Sequence, residues 1–527
     1  MANQLTNVKV HDPTGIPPTV EDNASVDPSV RDILPQIIAS CIAHCTMLQG
    51  GFNLTYTAIL EDGLRKSGVP TEEISWIASL ATITIPVGAM ASGPLMDRYG
   101  RKMLCLISCL PALLSWAILM TTRSAEGICL ARMIGGFSVG LSTGSLVYVS
   151  EITHPWIRSV LLSFHSVFPG LGGLITNCLG AWLTWKEMTF VYFAVTLGVF
   201  FMLLFIPESP HWFMYFSDEG LQERESRVAS VLKRLNRSER IYQQELARIN
   251  ELSRQLEATR ERNDSIICEK INAFFKLFKI PSVYKPTIIL LAVFIFQQLS
   301  GTNVVPSYAL SIFDGLHDKF GKGTDKYKAL IVLGFTRFLG GIGTALASKK
   351  IGRRTLCISS GLGMALSMLY LALCIHFKSS KDASDFTKMI FCIQQNWVPT
   401  MLIVFHTLAS SFGWAMVPWT LIGELLPTSV RGFMGGFIMS YATILMFAML
   451  KVYHSMIEKM DIQGVFCFYG VVSLLSCIFV YLFLPGTRGK SPNVIEIHFN
   501  EAHNGISGSD DEVPTKESDK TQTDSSV

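Results

Sequence analysis

Polar side chains in the middle of an oily segment are the first chemistry that this sequence offers. The stretch QQLSGTN, residues 297–303, places five of them between two strongly apolar runs. An amide without a partner in hydrocarbon is costly, so these side chains must face other helices or a wet cavity. An amide offers both a donor and an acceptor, which suits a hydroxyl-rich, uncharged ligand. Gln297, Gln298 and Asn303 therefore either bond neighbouring helices together or bind such a ligand.

Helix geometry alone would separate these amides. Gln298 and Asn303 are five residues apart, which is about 140° round a straight helix. Gly301 and Pro306 can unwind or bend the segment and turn both side chains towards one cavity. Trp419, in VPWT, is a second candidate, because an indole can stack on the apolar face of a carbohydrate ring while its N–H donates. The alternative for Trp419 is a tryptophan at the membrane interface.

The composition indicates which elements must position these residues. Of the 527 residues 49% are hydrophobic and 16% are charged, and the mean hydropathy is +0.36. Soluble proteins carry about 25% charged residues. The apolar residues lie in runs of roughly 20, long enough to cross a bilayer as helices. The sequence therefore predicts a polytopic membrane protein, with the lipid bilayer as its surroundings, and a net charge of +3 favours no nucleic-acid partner.

We predict an all-α membrane protein with twelve transmembrane helices in two pseudo-symmetric six-helix bundles. The predicted spans lie near 35–58, 74–96, 103–121, 127–149, 160–183, 189–207, 286–312, 329–348, 355–376, 400–423, 434–453 and 465–485. The predicted domains are a cytoplasmic N-terminal segment (1–32), the N-terminal bundle (33–207), a cytoplasmic helical linker (208–285), the C-terminal bundle (286–485) and a largely disordered cytoplasmic tail (486–527).

The two halves repeat short motifs in the same order. GPLMDRYGRK is matched by ASKKIGRR, EITHPWIRS by ELLPTSVRG, and PESP by PGTRG. Six-helix repeats with a site between them at mid-membrane are typical of alternating-access transporters. The basic residues of these short links place both termini in the cytoplasm, although the lysine-rich segment HDKFGKGTDKYK after the seventh span opposes this orientation.

The chain resembles the major facilitator superfamily and, within it, the sugar porters that include facilitative glucose carriers and insect trehalose carriers. The resemblance covers about residues 35 to 495 and depends on GPLMDRYGRK, RMIGGFSVG, EITHPWIRS, PESPHW, QQLSGTN, PWTLIGELLPTSVRG and PGTRGKS. It implies that Gln297, Gln298, Asn303 and Trp419 contact the sugar. Asn53, in GGFNLTY, is predicted as a further substrate contact.

The resemblance also implies a cytoplasmic ion-pair network that holds the outward-facing state closed. Its predicted members are Asp97, Arg98, Arg101, Lys102, Arg132, Glu151, Arg158, Glu208, Arg353, Arg354, Glu424 and Arg431. The alternative for the basic residues is that they only set the orientation in the membrane. Acids at a membrane boundary need partners, which favours the network for Glu151 and Glu424.

The chain departs from the family pattern at several positions. Lys349 replaces an acidic member of the second-half network, so that closure is expected to be weaker there. Departures in the expected cavity are Ser166, Ala415, Met416, Ala442 and Thr443. They predict an altered sugar preference, weaker binding or lost transport.

The sequence predicts passive transport. Proton-coupled sugar porters carry an aspartate where this chain has Asn53, and no Asp or Glu lies mid-span. His44, His165 and His406 lie within spans and are interpreted as structural. No nucleotide-binding motif, cofactor site, metal site or enzyme nucleophile is predicted; the twelve cysteines lie mostly inside apolar runs.

The predicted function is facilitated diffusion of a neutral hexose or disaccharide, of glucose or trehalose type, across the plasma membrane. Two alternatives stay open: a transporter-like sugar sensor that does not transport, and a carrier of another organic solute.

Overall fold

The computed structural model describes residues 29–215, 220–260, 281–321, 325–347, 351–379, 395–426 and 431–486. Within these ranges the chain is built from helices and short connections. The expectations for residues 1–28, for Lys349 and for the tail beyond residue 486 lie outside the described residues.

The N-terminal half forms six membrane-spanning passages. Its helices are α1 (Leu34–His44) and α2 (Leu48–Lys66), joined by the 3₁₀ turn Cys45–Met47; α3 (Thr71–Ile83) and α4 (Ile85–Tyr99); α5 (Arg101–Thr121); α6 (Ala125–Leu141) and α7 (Gly144–Ile152); α8 (Pro155–Leu179); and α9 (Trp185–Phe205). Three of the six passages therefore consist of two helices that meet at a bend.

Three further helices follow the N-terminal half and pack together. They are α10 (Pro210–Tyr215), α11 (Leu221–Leu235) and α12 (Glu239–Arg260). Met214, Val228, Leu232 and Ile249 form their shared apolar cluster. The exposed faces of α11 and α12 carry the charged residues, as the Glu- and Arg-rich sequence predicts.

The C-terminal half repeats the arrangement. Its helices are α13 (Pro281–Leu299), α14 (Val304–Ser307), α15 (Ala309–Phe320), α16 (Lys326–Ala347), α17 (Arg353–Ser379), α18 (Val398–Ser411), α19 (Val417–Leu425) and α20 (Arg431–Phe483). The 53-residue α20 contains two spans, because Asp461 has a left-handed φ of 58° and turns the chain back.

The described residues account for the twelve predicted spans. Ten helical segments are long and apolar enough to cross a membrane, and α18 adds a shorter apolar helix that continues into α19. The segment Met434–Phe483 counts as one of the ten and holds two spans. The predicted all-α fold of twelve helices is therefore confirmed.

Helix breaks in this fold follow from particular residues. Gly301 has a φ of +80°, which L side chains rarely adopt, and it separates α13 from α14. Pro155 and Pro418 stand in the first turns of α8 and α19, where the missing N–H costs no hydrogen bond. Thr184 and Glu187 form a capping box that begins α9. The polar segment QQLSGTN is thus unwound at the point where the sequence suggested a bend.

The membrane helices define two faces of the molecule. We call the side where α10–α12 pack the linker face, and the opposite side, where α2 ends and α3 begins, the far face. Within the halves, α2 packs on α8 and α17 packs on α20, whereas α8 with α16 and α3 with α20 join the halves. The space between the halves is where the polar side chains meet.

Candidate functional site

A cavity of about 240 Å³ lies between the two halves. Both halves contribute polar side chains to its wall, together with many apolar ones. The polar lining residues with the richest hydrogen-bonding capacity are Asn53, Arg132, His165, Asn303, Arg337 and Trp419. A mostly apolar pocket with a few convergent polar groups is the usual form of a small-molecule site.

The amides of the QQLSGTN segment form a chain of hydrogen bonds that ends at the cavity wall. Gln297 donates to the Trp414 carbonyl at 2.6 Å, and Gln298 donates to Gln297 at 3.5 Å. Asn303 then donates to the side-chain oxygen of Gln298 at 3.0 Å and itself lines the cavity. The break at Gly301 makes the last bond possible, because a continuous helix would point the two amides apart.

The expectation that both glutamines line the cavity is not met in this conformation. Gln297 and Gln298 are 0% and 2% exposed and lie behind Asn303. Their donors and acceptors are used within the protein, so they hold Asn303 in place. The glutamines therefore bond neighbouring backbone and side chains, whereas Asn303 lies at the cavity, and its binding to a ligand stays a prediction.

Trp419 lies on the cavity wall and is held by an aromatic neighbour. Its ring is 4.9 Å from that of Phe294, centroid to centroid, at an angle of 65°. An edge-to-face aromatic contact of this kind stabilises the orientation of the indole ring. Trp419 and Asn303, from different helices of the C-terminal half, line the same cavity as Asn53 from the N-terminal half.

Most of the positions where the sequence departs from the family pattern lie in this wall. Ser166, Ala415, Met416 and Thr443 all line the cavity, whereas Ala442 is fully buried in the helix packing. The departures therefore change the cavity itself, as the sequence predicts.

The placement of Arg132 in a cytoplasmic network is wrong. Arg132 lies inside the N-terminal half and is 1% exposed. It donates to the Asn53 carbonyl at 3.0 Å and to the Asn53 side-chain oxygen at 3.4 Å. It also donates to Thr57 at 2.6 Å and to the Ile77 carbonyl at 3.4 Å. The motif RMIGGFSVG does not show how deep in the membrane Arg132 lies. Helix α6 enters the membrane at the far face and carries Arg132 inwards from there.

A smaller network does join charged residues on the linker face. The Arg101 guanidinium lies 3.0 Å from Glu151 and 3.6 Å from Asp97. The Ser209 hydroxyl donates to Glu151 Oε2, the same oxygen that lies 3.0 Å from Arg101. Glu151 thus has the partners that an acid at a membrane boundary requires.

Glu208 acts on the same face as a helix cap. Its carboxylate accepts the backbone N–H groups of Arg101 at 2.9 Å and Lys102 at 2.8 Å, at the start of α5. A negative charge at a helix N-terminus is stabilised by the helix dipole. Burial raises the pKa of Glu208, and the bonds from Lys102 and its neighbours oppose that rise. Its role here is to fix the bend between α4 and α5.

The described residues of the C-terminal half include an ion pair at the corresponding place. Arg353 binds Glu424 with two nitrogens, at 2.8 and 2.9 Å. Arg354 instead donates to the Tyr481 carbonyl and covers the Tyr481 ring. The side chain of Arg431 lies outside the described part of the structure.

Three further predicted members make no ion pair with a described residue. Arg98 lies over the Tyr99 ring, Lys102 donates to the Leu204 carbonyl, and Arg158 donates to the Thr153 carbonyl. The ion pairs of Arg101 with Glu151 and Asp97 and of Arg353 with Glu424 each join helices of the same half. Whether they close the linker face in another conformation stays a prediction.

Polar contacts between the halves lie instead at the far face. Asp62 of α2 lies 3.1 Å from Lys326 of α16, and it accepts from Tyr327 at 3.2 Å. Arg65 donates to Ser311 at 2.9 Å. The carboxylate of Glu61 lies 3.2 Å from His454. These contacts close the cavity at its far-face end.

The same contacts explain the lysine-rich segment after the seventh span. Lys326 pairs with Asp62 and with Asp314, and Lys319 pairs with Asp461. These lysines therefore have partners inside the protein. A count of basic residues that ignores such ion pairs gives this segment too much weight in predicting the orientation of the chain in the membrane.

The cavity continues towards the linker face. A second, smaller cavity shares Ser166 and Met416 with the first and reaches Ser163, Thr420 and Arg353. Arg353 belongs to the linker-face ion pair. The structure therefore has its closed end at the far face and its cavities arranged towards the linker face.

The histidines differ in their access to this cavity. His165 is in the lining, whereas His44 is buried and bonds the Leu161 carbonyl at 3.0 Å. His406 is buried in α18. Among the described residues the cavity wall contains neither Asp nor Glu.

Comparison with known proteins supplies the family context. A family model described as "Sugar (and other) transporter" matches residues 42–499. The facilitated trehalose transporter Tret1 of Polypedilum vanderplanki is 27% identical over 471 residues, covering 88% of each chain. Tret1 of Apis mellifera ligustica is 25% identical over 470 residues, again covering 88% of each.

Solved structures agree on the fold. The chain superposes on a partially occluded, inward-open conformation of the xylose transporter XylE from E. coli with a TM-score of 0.67. The identity is 19%, and the match covers 86% of this chain and 99% of that one. At this identity the likeness shows a shared fold.

Proposed function

Because the chain belongs to the sugar transporter family, we propose that it carries a sugar across a membrane by alternating access through the cavity between its halves. The first candidates are neutral sugars of glucose or trehalose size, since relatives named for trehalose transport cover 88% of the chain. The proposed setting is the plasma membrane, with the linker face in the cytoplasm, and the proposed mode is facilitated diffusion.

The observation that carries this proposal is one cavity lined by both halves. Asn53 from one half, with Asn303 and Trp419 from the other, line a common wall. The amides offer donors and acceptors to hydroxyl groups, and the indole offers a flat apolar face to a sugar ring. A ligand held between two halves favours their motion relative to each other only if it binds the two states differently.

The direct test is counterflow in proteoliposomes that hold the full-length chain. Liposomes are preloaded with unlabelled glucose or trehalose, and labelled sugar is added outside. A carrier shows a transient overshoot of label, whereas a protein that only binds sugar shows a stoichiometric plateau. Absence of overshoot with each sugar, in preparations that retain a monodisperse folded protein, would contradict the proposal for these two substrates.

Trp419→Ala is expected to lower kcat/KM for the transported sugar about tenfold or more, because buried aromatic anchors dominate binding. The matched control is Trp182→Ala, since Trp182 is 77% exposed and lies away from the cavity. Initial uptake rates at several sugar concentrations, normalised to folded protein, measure the effect. Equal losses in both variants would remove Trp419 from the proposed site.

Uptake is expected to be independent of an imposed proton gradient. The cavity wall contains no carboxylate among the described residues, and Asn53 cannot titrate. His165 is the lining residue whose ring can gain a proton. The measurement compares uptake with and without an inward proton gradient in the wild type and in His165→Gln. A gradient-driven accumulation that disappears in His165→Gln would identify proton coupling instead.

A sugar sensor is the second candidate, favoured by the altered cavity positions Ser166, Ala415, Met416 and Thr443. It would bind sugar and change shape without transporting it. The same counterflow measurement separates the two candidates, because a sensor binds label without equilibrating it across the membrane.

A further inference from the structure

Two guanidinium groups line the central cavity, one from each half. Arg132 of α6 bonds Asn53, and Arg337 of α16 donates to the Asn303 side-chain oxygen at 3.4 Å. Both asparagines also line the cavity. The wall therefore holds one Arg–Asn pair on each side of the space proposed for the sugar.

Neither guanidinium has an acidic partner in the part of the chain that the structure describes. The bonds of Arg132 go to neutral oxygens of Asn53, Thr57 and Ile77. Arg337 makes a single long bond to Asn303. An arginine stays charged in a protein, and a charge at membrane depth is expensive unless it is paired or used.

The two arginines differ in their spare capacity. Arg132 uses three of its nitrogens on surrounding oxygens, so its charge is dispersed over a polar shell. To the described residues Arg337 donates through one nitrogen, which leaves the rest of its planar fork without a bond to that part of the chain. A guanidinium fork matches the geometry of a carboxylate or a phosphate.

We propose that the solute carried in this cavity is a sugar bearing an oxyanion, which binds to Arg337. The inference rests on the proposed carrier function, and it replaces the neutral sugars named there with a sugar that carries a negative group. Asn53, Asn303 and Trp419 contact the hydroxyl groups and the ring, and the oxyanion neutralises the charge that a neutral sugar would leave without a partner. The field of Arg132 favours the same negative charge from the opposite wall.

The first test compares uptake of labelled glucose, trehalose, glucuronate and glucose 6-phosphate by the wild type in proteoliposomes. At least one of the two anionic sugars is expected to have a kcat/KM about tenfold or more above that of glucose, because a charged hydrogen bond in a desolvated site is strong. Uptake of glucuronate identifies a carboxylate as the oxyanion, and uptake of glucose 6-phosphate identifies a phosphate.

The second test removes the charge but keeps hydrogen-bond donors. Arg337→Gln is expected to lower kcat/KM for the anionic sugar about tenfold or more, mainly through a higher KM, and to lower the ratio of anionic-sugar uptake to glucose uptake by a similar factor. Arg337→Lys should retain part of the preference, since it keeps the charge and loses the fork. The matched control is Arg123→Gln, which removes an exposed positive charge between α5 and α6.

Ligand-induced stabilisation of the detergent-purified protein tests the oxyanion site separately from the carrier function. If an anionic sugar stabilises the wild type but not Arg337→Gln, the oxyanion site is supported. If in addition no sugar is transported, only the carrier function is contradicted. Preferred uptake of glucose or trehalose over both anionic sugars overturns the oxyanion inference and leaves the carrier function in place. If none of the four sugars is taken up and none stabilises the protein, both the oxyanion site and the carrier function are contradicted. If Arg337→Gln does not fold, the substrate preference of the wild type decides.

Discussion

Gly136→Ala is expected to lower the thermal midpoint of the detergent-purified protein by roughly 5 °C or more. A methyl group at this position of α6 would collide with the Ala81 carbonyl oxygen and the Thr84 hydroxyl of the facing helix. The backbone carbonyl cannot rotate away, so α3 and α6 must separate. Forced separation of packed helices costs about 1–3 kcal/mol and sometimes more.

The chain offers a matched control in Gly198→Ala. A methyl group on Gly198 of α9 meets no atom within 4 Å, and alanine is a better helix former than glycine by about 1 kcal/mol. Gly198→Ala should therefore leave the midpoint unchanged or raise it. Thermal denaturation followed by size-exclusion fluorescence measures both variants side by side. Equal midpoints would show that α3 and α6 can move apart without cost.

Much of this fold could be predicted from the sequence, because each membrane span has to be an apolar run long enough to cross the bilayer. Apolar runs of about 20 residues and repeated loop motifs predict twelve spans in two halves, and the described helices agree. The bends within spans were harder, since a hydropathy pattern does not tell a continuous helix from two short ones. Asp461, for example, reverses the chain inside one apolar stretch of 50 residues.

The candidate site was only partly accessible. The motif QQLSGTN identified the correct segment, but the depth of each side chain depended on the break at Gly301, so only Asn303 of its three amides lies at the cavity. Arg132 was wrongly predicted at the cytoplasmic face, because a sequence motif does not show how deep in the membrane a residue lies. Arg337 was missed altogether; an arginine within the apolar run GFTRFLGGIG was the signal that pointed to it.

Opening of the far face should increase when its charged contacts to the C-terminal half are removed. In Glu61→Gln with Asp62→Asn, the attraction of these carboxylates to His454 and Lys326 is lost. Coupling energies of about 1–3 kcal/mol shift a two-state ratio about 5- to 150-fold. The conformation closed at the far face should therefore lose population to one that is open there.

Distances between two nitroxide labels across the far face measure this shift. Labels introduced by Ser67→Cys and Lys328→Cys stand at exposed positions of opposite halves, in a background without the other reactive cysteines. The altered protein should show a longer distance that is minor in the parent. The control is Glu73→Gln with Glu126→Gln, which removes two exposed far-face carboxylates. Identical distance distributions in both double variants would mean that apolar packing alone closes this face.

The position of the charged contacts gives this last experiment its functional meaning. In the described structure the polar bonds at the far face join the halves, whereas the linker-face pair of Arg101 with Glu151 and that of Arg353 with Glu424 lie within single halves. Closure of the far face is therefore assigned to polar contacts between the halves, which the described ion pairs of the linker face do not make. If the far-face contacts set the population of this conformation, weakening them should raise access from that face without altering the cavity wall, because Glu61 and Asp62 do not line it. A ligand bound to Asn303 and Trp419 would then shift the same equilibrium only by its different affinity for the two conformations.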